Sequence, residues 1–260
     1  MSSLKITFPA ALDKGLAMAD THIVSSFSND LNQIDRLVLE MGGLVEQQLQ
    51  KATKALQKED RVLAKEVMKG DARINALENE LNDAAIKVLA LRQPVALDLR
   101  TVVMSLKIAR HLERIGDYIK NTARRTNTIA KAGAFTGSID TLVRMSEMVQ
   151  KMTQDALNAY SKRDAEAAEA VRDSDKHVDH MNNSLFRELL TYMMEDTQNI
   201  GGAMHLIFIA KNIERMGDHV ADIAKETIYL VNGEWPEGRR DKGDNTSKMI
   251  LSPDELDEAS

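Results

Sequence analysis

The sequence predicts an all-α protein of six long helices, and three observations lead to that prediction. Four prolines occur in 260 residues, so two long stretches, 10–93 and 95–235, contain none. Aromatic residues make up only 4% of the chain, whereas alanine, leucine, glutamate and lysine are frequent, as is typical of helices. Apolar residues recur at alternating steps of three and four, which indicates amphipathic bundle helices. One such series is Leu206, Ile209, Ile213, Met216, Val220 and Ile223.

Caps and breakers place the helix boundaries. Asp60 is a preferred N-cap residue and separates the first helix from the second. Pro94 ends the second helix, because the residue before a proline resists the α conformation. Glycines within 131–137 end the third helix, and Asn232-Gly233 ends the sixth. The predicted helices cover, approximately, residues 29–58, 61–91, 96–130, 138–161, 165–194 and 200–232.

The second half of the chain repeats the first. The segment Ile108-Ala-Arg-His-Leu-Glu-Arg-Ile-Gly-Asp117 aligns with Ile209-Ala-Lys-Asn-Ile-Glu-Arg-Met-Gly-Asp218. The shared Glu-Arg-(Ile/Met)-Gly-Asp exceeds the match of apolar positions that any two bundle helices show. The sequence therefore predicts two related up-down three-helix bundles, packed end to end or side by side. The predicted domains are an N-terminal segment at 1–25, bundles at 26–133 and 134–235, and a polar acidic tail at 236–260, with both terminal segments expected to be disordered.

Composition excludes several classes of function. The chain has no cysteine, which excludes disulfide scaffolds, cysteine-ligated zinc and thiolate catalysis. A formal net charge of −6 argues against a nucleic-acid partner, which attracts a basic surface. Neither a signal-peptide core nor an apolar run near the eighteen residues of a membrane-spanning helix occurs. These features predict a cytoplasmic protein.

One duplicated row of acidic side chains is the candidate site. Steps of four residues place its members on one face of each third helix, turned by more than 90° from the apolar seam and therefore facing outward or sideways. Like charges at this spacing repel, and the mid-helix glycines Gly116 and Gly217 add a further cost. Both costs occur in both halves, which points to oxygen ligands for a hard cation. The row consists of Glu113, Asp117 and Asn121 in the first half and Glu214, Asp218 and Asp222 in the second.

Alternative interpretations of the charged positions remain. Arg110 and Lys211 lie near the same face as the row, so a solvated, salt-bridged surface explains the charges about as well as a metal does. The middle helices carry a second polar row, for which a solvated face is favoured over further ligands. This second row consists of Asp71, Asn75, Glu78, Asp175, Asp179 and Asn182. The six histidines share no spacing across the repeat, and neither a Glu-x-x-His motif nor a nucleophile with its base occurs.

Several segments, taken in order, resemble the PhoU family of phosphate-signalling regulators. The resemblance extends from about His22 to about Trp235. Each segment alone is weak, and the ordered set carries the resemblance. The segments are Met41-Gly-Gly-Leu-Val-Glu-Gln-Gln-Leu49, Arg92-Gln-Pro-Val-Ala-Leu-Asp-Leu-Arg100, Leu112-Glu-Arg-Ile-Gly-Asp117, Leu190-Thr-Tyr-Met-Met-Glu-Asp196 and Ile213-Glu-Arg-Met-Gly-Asp-His219.

The resemblance implies two repeated three-helix bundles that bind metal ions, in some members iron clusters, through Glu/Asp-x-x-x-Asp motifs. These motifs map onto Glu113 with Asp117 and onto Glu214 with Asp218. The following family asparagine is matched by Asn121 and replaced by Asp222. Arg124 and Lys225 stand where the family often has glutamate. The implied cofactor is iron, magnesium, manganese or zinc.

The resemblance also implies a non-enzymatic adaptor. It would link the ATPase subunit of a phosphate-specific ABC transporter to a sensor histidine kinase and damp the phosphate-starvation response when phosphate is plentiful. It implies a homodimer that reaches the membrane only through its partners, with Asp98 and Arg100 as partner-binding residues. Two alternatives are a metal-dependent enzyme that uses the carboxylate rows and a purely structural helical protein.

Overall fold

The computed structural model describes residues 10–129 and 136–238 together with residues 243 and 246, and it gives side chains from Phe27 onward except that of Thr136. This part of the chain contains six α-helices and no strand, which confirms the predicted all-α class. None of these helices is long and apolar enough to cross a membrane. The helices are α1 (Ala10–Gln57), α2 (Arg61–Arg92), α3 (Ala96–Ile129), α4 (Thr136–Lys162), α5 (Ala165–Glu195) and α6 (Ile200–Asn232), with a 3₁₀ turn at Thr197–Asn199 before α6.

The helix ends largely follow the predicted caps. The Asp60 carboxylate accepts hydrogen bonds from the backbone amides of Val62 and Leu63 at 2.9 and 3.0 Å, and therefore caps α2 as predicted. The predicted start of α1 near residue 29 is wrong, because the helix begins at Ala10. Residues 10–28 contain no proline and four alanines, so helix propensity extends α1 without a cap. Residues 1–9, also expected to be disordered, lie outside the described part of the chain.

The two halves pack side by side, which answers the question that the sequence left open. Helix α3 lies against α6, and α1 lies against α4. The α3–α6 pair is antiparallel: Lys107, early in α3, pairs with Glu226, late in α6, while Arg125, late in α3, stacks over Phe208, early in α6. The core is continuous through both halves, and the apolar series predicted on α6 is buried throughout.

One residue of the C-terminal tail contacts α5. The Asn183 amide donates a hydrogen bond to the Gly243 carbonyl at 2.6 Å, and the Gly243 amide donates one to Asp179 Oδ2 at 2.8 Å. The predicted disorder of residues 236–260 concerns mostly residues outside the described part of the chain.

Candidate functional site

The first carboxylate row begins with a buried glutamate. Glu113 is 8% exposed, and Arg110 beside it also lies 3.5 Å from Glu78 of α2, so the row faces sideways at this point and not outward. Arg110 donates a hydrogen bond to Glu113 Oε2 at 2.9 Å. Asp117, one turn later, is half-buried, and its Oδ2 lies 3.7 Å from the Arg114 guanidinium. The salt-bridged interpretation is therefore right about the basic partners but wrong about a solvated Glu113.

The polar row on α2 lies opposite this face. Asp71 is buried and accepts a hydrogen bond from Lys120 Nζ on α3 at 2.6 Å. Its other oxygen, Oδ1, is buried with no hydrogen-bond partner among the described residues. A Cβ atom added at Gly116 would lie 3.0 Å from Ile74 Cδ1 and 3.7 Å from that oxygen, so the glycine gives α2 room to approach α3. The absence of a side chain thus lets Ile74 of α2 pack directly against the backbone of α3.

The second half repeats this arrangement between α5 and α6. Glu214 is 3% exposed, and Lys211 Nζ lies 2.9 Å from its Oε2 atom. Asp175 is 1% exposed, and a Cβ atom at Gly217 would lie 2.7 Å from Asp175 Oδ1. Gly217 therefore permits the close approach of a carboxylate to α6, while Asp218 remains half-buried.

The expectation that the second polar row is a solvated face is wrong for four of its members. Helical periodicity shows which side chains share a face, but it does not show that two polar faces pack against each other. In both halves the polar row of the middle helix packs against the third helix, and this contact buries the polar side chains. The buried members are Asp71, Asp175, Asp179 and Asn182.

Burial changes the pKa of the first carboxylate in the row. The pKa of Glu113 is raised, mainly by loss of solvation, while the neighbouring Arg110 acts in the opposite direction and Asp117 adds to the rise. A bound cation would favour the ionised form of such a carboxylate. The oxygen donors present match those that a hard cation takes, although at present basic side chains hold them. Within the described residues, the carboxylates of the row do not come within 4.8 Å of one another in groups of three.

The third members of the row point elsewhere. Asn121 lines a cavity of about 320 Å³ together with Arg124, Arg125 and Asn212. Asp222 lies across the α3–α6 contact, with its Oδ2 atom 4.0 Å from His111 Nδ1. Among the described carboxylates, Asp222 therefore does not form a group of ligand atoms within 4.8 Å with Glu214 and Asp218.

A histidine pair at the α3–α6 contact was missed by sequence reasoning. His111 Nδ1 and His219 Nδ1 lie 3.0 Å apart, and with Asp222 they form the one group of three potential metal ligands within 4.8 Å among the described residues. His111 and His219 occupy non-equivalent positions of the repeat, so duplication gave no signal. Only the antiparallel packing of α3 and α6 brings them together.

A known protein family matches each half of the chain separately. The family model described as the PhoU domain matches twice, at residues 38–126 and at residues 142–227. The chain belongs to the PhoU family. The two matches, one in each half, agree with the internal repeat read from the sequence.

Relatives and solved structures of the PhoU family cover most of the chain. The phosphate-specific transport system accessory protein PhoU homolog of Rhizobium meliloti strain 1021 is 41% identical over 232 residues, 89% of this chain and 98% of the relative. The crystal structure of PhoU from Pseudomonas aeruginosa shares 38% identity at a TM-score of 0.78 and covers 80% of this chain and 100% of that one. The phosphate transport system regulatory protein PhoU from Streptococcus pneumoniae shares 26% identity at a TM-score of 0.75, with coverages of 81% and 99%.

The two remaining predicted residues lie at the start of α3. Asp98 is half-buried in the first helical turn, where a negative charge is favourable. Arg100 reaches the C-terminal end of α6, where a Cβ atom on Gly233 would lie 1.8 Å from its Nη1 atom. Arg100 thus packs between the two halves, while Leu97 and Leu99 beside it are exposed. Partner binding by Asp98 and Arg100 stays a prediction.

Proposed function

We propose that this PhoU-family chain is a negative regulator of the phosphate-starvation response that also modulates phosphate uptake. In this proposal it acts as a cytoplasmic adaptor without catalytic activity, and it links the ATPase subunit of a phosphate-specific ABC transporter to a sensor histidine kinase. The supporting observation is the family match in both halves, together with relatives named as accessory proteins of phosphate-specific transport.

The surface offers docking positions for helical partners. Large apolar side chains are exposed at the start of α3, namely Leu97 and Leu99, and at the start of α6, namely Met204 and Phe208. Because α3 and α6 are antiparallel, these two groups lie at opposite ends of the molecule. Long helices with exposed apolar residues suit helix-to-helix contacts. Asp98 lies within the first group and would supply a polar contact to a partner there.

The proposal includes metal binding by the carboxylate rows. The proposed ligands are Glu113, Asp117, Asn121, Glu214, Asp218 and Asp222. Iron, manganese, magnesium or zinc would meet oxygen donors there, and Arg110 and Lys211 would have to leave Glu113 and Glu214, which they now hold. The buried oxygen Asp71 Oδ1, which lies beside the first row and has no hydrogen-bond partner among the described residues, supports this part of the proposal.

Metal content of untagged protein tests this part. Inductively coupled plasma mass spectrometry is applied to the wild type, to Asp117→Ala/Asp218→Ala and to Glu147→Ala, which removes an exposed carboxylate from α4 as a control. We expect the same metal content in the wild type and the control, and a lower content in the double variant, because the variant loses the metal that the rows hold. Equal metal content in all three proteins would contradict the assignment of the rows.

Deletion of the gene in its own host tests the regulatory role. In phosphate-rich medium we expect phosphate-starvation genes to be derepressed in the deletion strain, with repression restored by the wild-type chain. Normal repression without the chain would contradict the proposal. A homodimer that binds no nucleic acid completes the proposal, and the net charge of −6 agrees with the latter point.

A further inference from the structure

The contact between the two halves contains two histidines that the carboxylate rows do not use, and they lie beside Asp222, the last member of the second row. His111 belongs to α3, while His219 and Asp222 belong to α6. One ligand atom from each lies within 4.8 Å of the others. We propose that these three residues bind one divalent transition-metal ion of the zinc class, which joins α3 to α6 and thereby joins the two halves of the chain. This site is independent of the regulatory function proposed above.

The distances suit such an ion. Zinc binds histidine nitrogen and carboxylate oxygen at roughly 2.0–2.1 Å, which places tetrahedral donor atoms about 3.3 Å apart. The two Nδ1 atoms are already 3.0 Å apart. Asp222 Oδ2 lies 4.0 Å from His111 Nδ1, and its side chain is 48% exposed, so a small rotation brings it into range. Since all three residues are only half-buried, a fourth position remains open to water.

The two rings are oriented for binding. Metal coordination requires a neutral imidazole with a free lone pair. Tyr118 stacks on the His219 ring with centroids 5.7 Å apart, which limits its rotation. Two Nδ1 atoms facing each other at hydrogen-bond distance in this way can share either a proton or a metal ion.

The charges around the group favour a nitrogen-binding ion over a hard cation. Lys107 is paired with Glu226 at 3.3 Å and lies over the Trp235 ring, and Lys225 lies over the same ring. The ammonium groups of Lys107 and Lys225 thus offset the two nearby carboxylates, buried Glu226 and half-exposed Asp222. Little net negative charge remains around the group. A magnesium or calcium ion depends on such charge, whereas zinc-class ions bind imidazole strongly.

The internal repeat supplies a natural control. The positions equivalent to His111, His219 and Asp222 in the opposite halves carry no imidazole or carboxylate. They are Asn212, Tyr118 and Asn121. Asn121 and Asn212 do line a common cavity at the other end of the α3–α6 contact, so the scaffold is repeated while the ligands are not. The proposal therefore predicts one such site per chain.

Titration of metal-free, untagged full-length protein with Co²⁺ and Zn²⁺ tests the proposal. The variants His111→Asn and Asp222→Asn introduce the residues of the opposite half, and circular dichroism confirms that each remains folded. His219→Gln removes the second imidazole. Asn212→Ala is the matched control at the equivalent position, and Asp117→Ala/Asp218→Ala separates this site from the carboxylate rows.

The wild type should bind one Co²⁺ per chain with the visible d–d absorption of a tetrahedral site. A hundredfold excess of Zn²⁺ over its Kd should raise the Tm by about 5 °C. Both signals should disappear in the two histidine variants, weaken in Asp222→Asn and persist in Asn212→Ala and Asp117→Ala/Asp218→Ala. Absence of both signals from the wild type, their persistence in His111→Asn, or their loss only in Asp117→Ala/Asp218→Ala would overturn the proposal.

Discussion

A single buried hydroxyl ties the two halves together and allows a sharp test of their packing. Tyr160 on α4 is fully buried, and its hydroxyl donates a hydrogen bond to Asp35 Oδ1 on α1 at 2.5 Å. The Tyr160 hydroxyl oxygen also lies 2.8 Å from Ser105 Oγ on α3. Burial and the nearby Asp35 carboxylate raise the pKa of Tyr160, so the phenol stays protonated and remains a donor. Replacement of Tyr160 by phenylalanine removes one oxygen atom and keeps the ring.

The structure sets the size of the expected effect. A hydrogen bond to a charged group contributes about 1.5–3 kcal/mol, and leaving the buried Ser105 hydroxyl without its partner costs about 1 kcal/mol more. Asp35 retains its ion pair with Arg163 at 2.7 Å, which limits the loss. We therefore expect Tyr160→Phe to lower the free energy of unfolding by about 2–4 kcal/mol.

Urea denaturation at pH 7 measures this change, and the m-value should stay the same because the surface exposed on unfolding does not change. The double variant Ser105→Ala/Tyr160→Phe should regain about 1 kcal/mol over Tyr160→Phe, because the unpaired hydroxyl is gone. A loss below about 0.5 kcal/mol for Tyr160→Phe would refute the view that this hydroxyl joins the halves.

Three further substitutions probe other parts of the molecule. Gly233 has a φ of 76°, so Gly233→Ala should cost about 1–2 kcal/mol in thermal denaturation and displace Arg100; unchanged stability would contradict that packing. The pKa of Glu226 is raised by burial, against the effect of Lys107, so the unfolded chain releases this proton at lower pH than the folded protein. The folded protein therefore loses stability as pH rises above 4.5, because the buried carboxyl group must ionise. Relative to the wild type, Glu226→Gln should become more stable between pH 4 and pH 7, by about 1.4 kcal/mol for each unit by which the pKa of Glu226 differs between the folded and unfolded states. A stability difference that does not vary with pH in urea titrations would disprove this. Asp60→Ala should lose about 1 kcal/mol of cap energy and Asp60→Asn much less, and equal losses in the two variants would argue against the cap.

Much of the fold could be predicted from local rules. Apolar periodicity, the cap at Asp60 and the absence of proline placed five helices close to their observed bounds. The start of α1 at Ala10 was missed, because helix propensity continues there without a boundary signal. Side-by-side packing could not be predicted from the sequence. The apolar residues of α3 and α6 pack both within their own bundle and against the opposite half, and periodicity does not separate the two contacts.

The candidate site was predicted only in part. The repeat and the step of four residues correctly grouped Glu113 with Asp117 on one face of α3. Their burial depends on the polar row of α2, which no periodicity on α3 reveals. His111 and His219 lie far apart in sequence at non-equivalent repeat positions, and only the antiparallel α3–α6 contact brings them to 3.0 Å.

The most direct measurement of the central claim is co-purification of this chain with both proposed partners from phosphate-replete cells. An adaptor must contact the transporter ATPase subunit and the sensor histidine kinase, so the account predicts that the tagged chain recovers both. Leu97→Asp/Phe208→Asp places charges on both exposed apolar groups and should reduce recovery, while Glu147→Ala should not. Recovery of neither partner by the wild-type chain, under conditions in which it represses phosphate-starvation genes, would contradict the adaptor account.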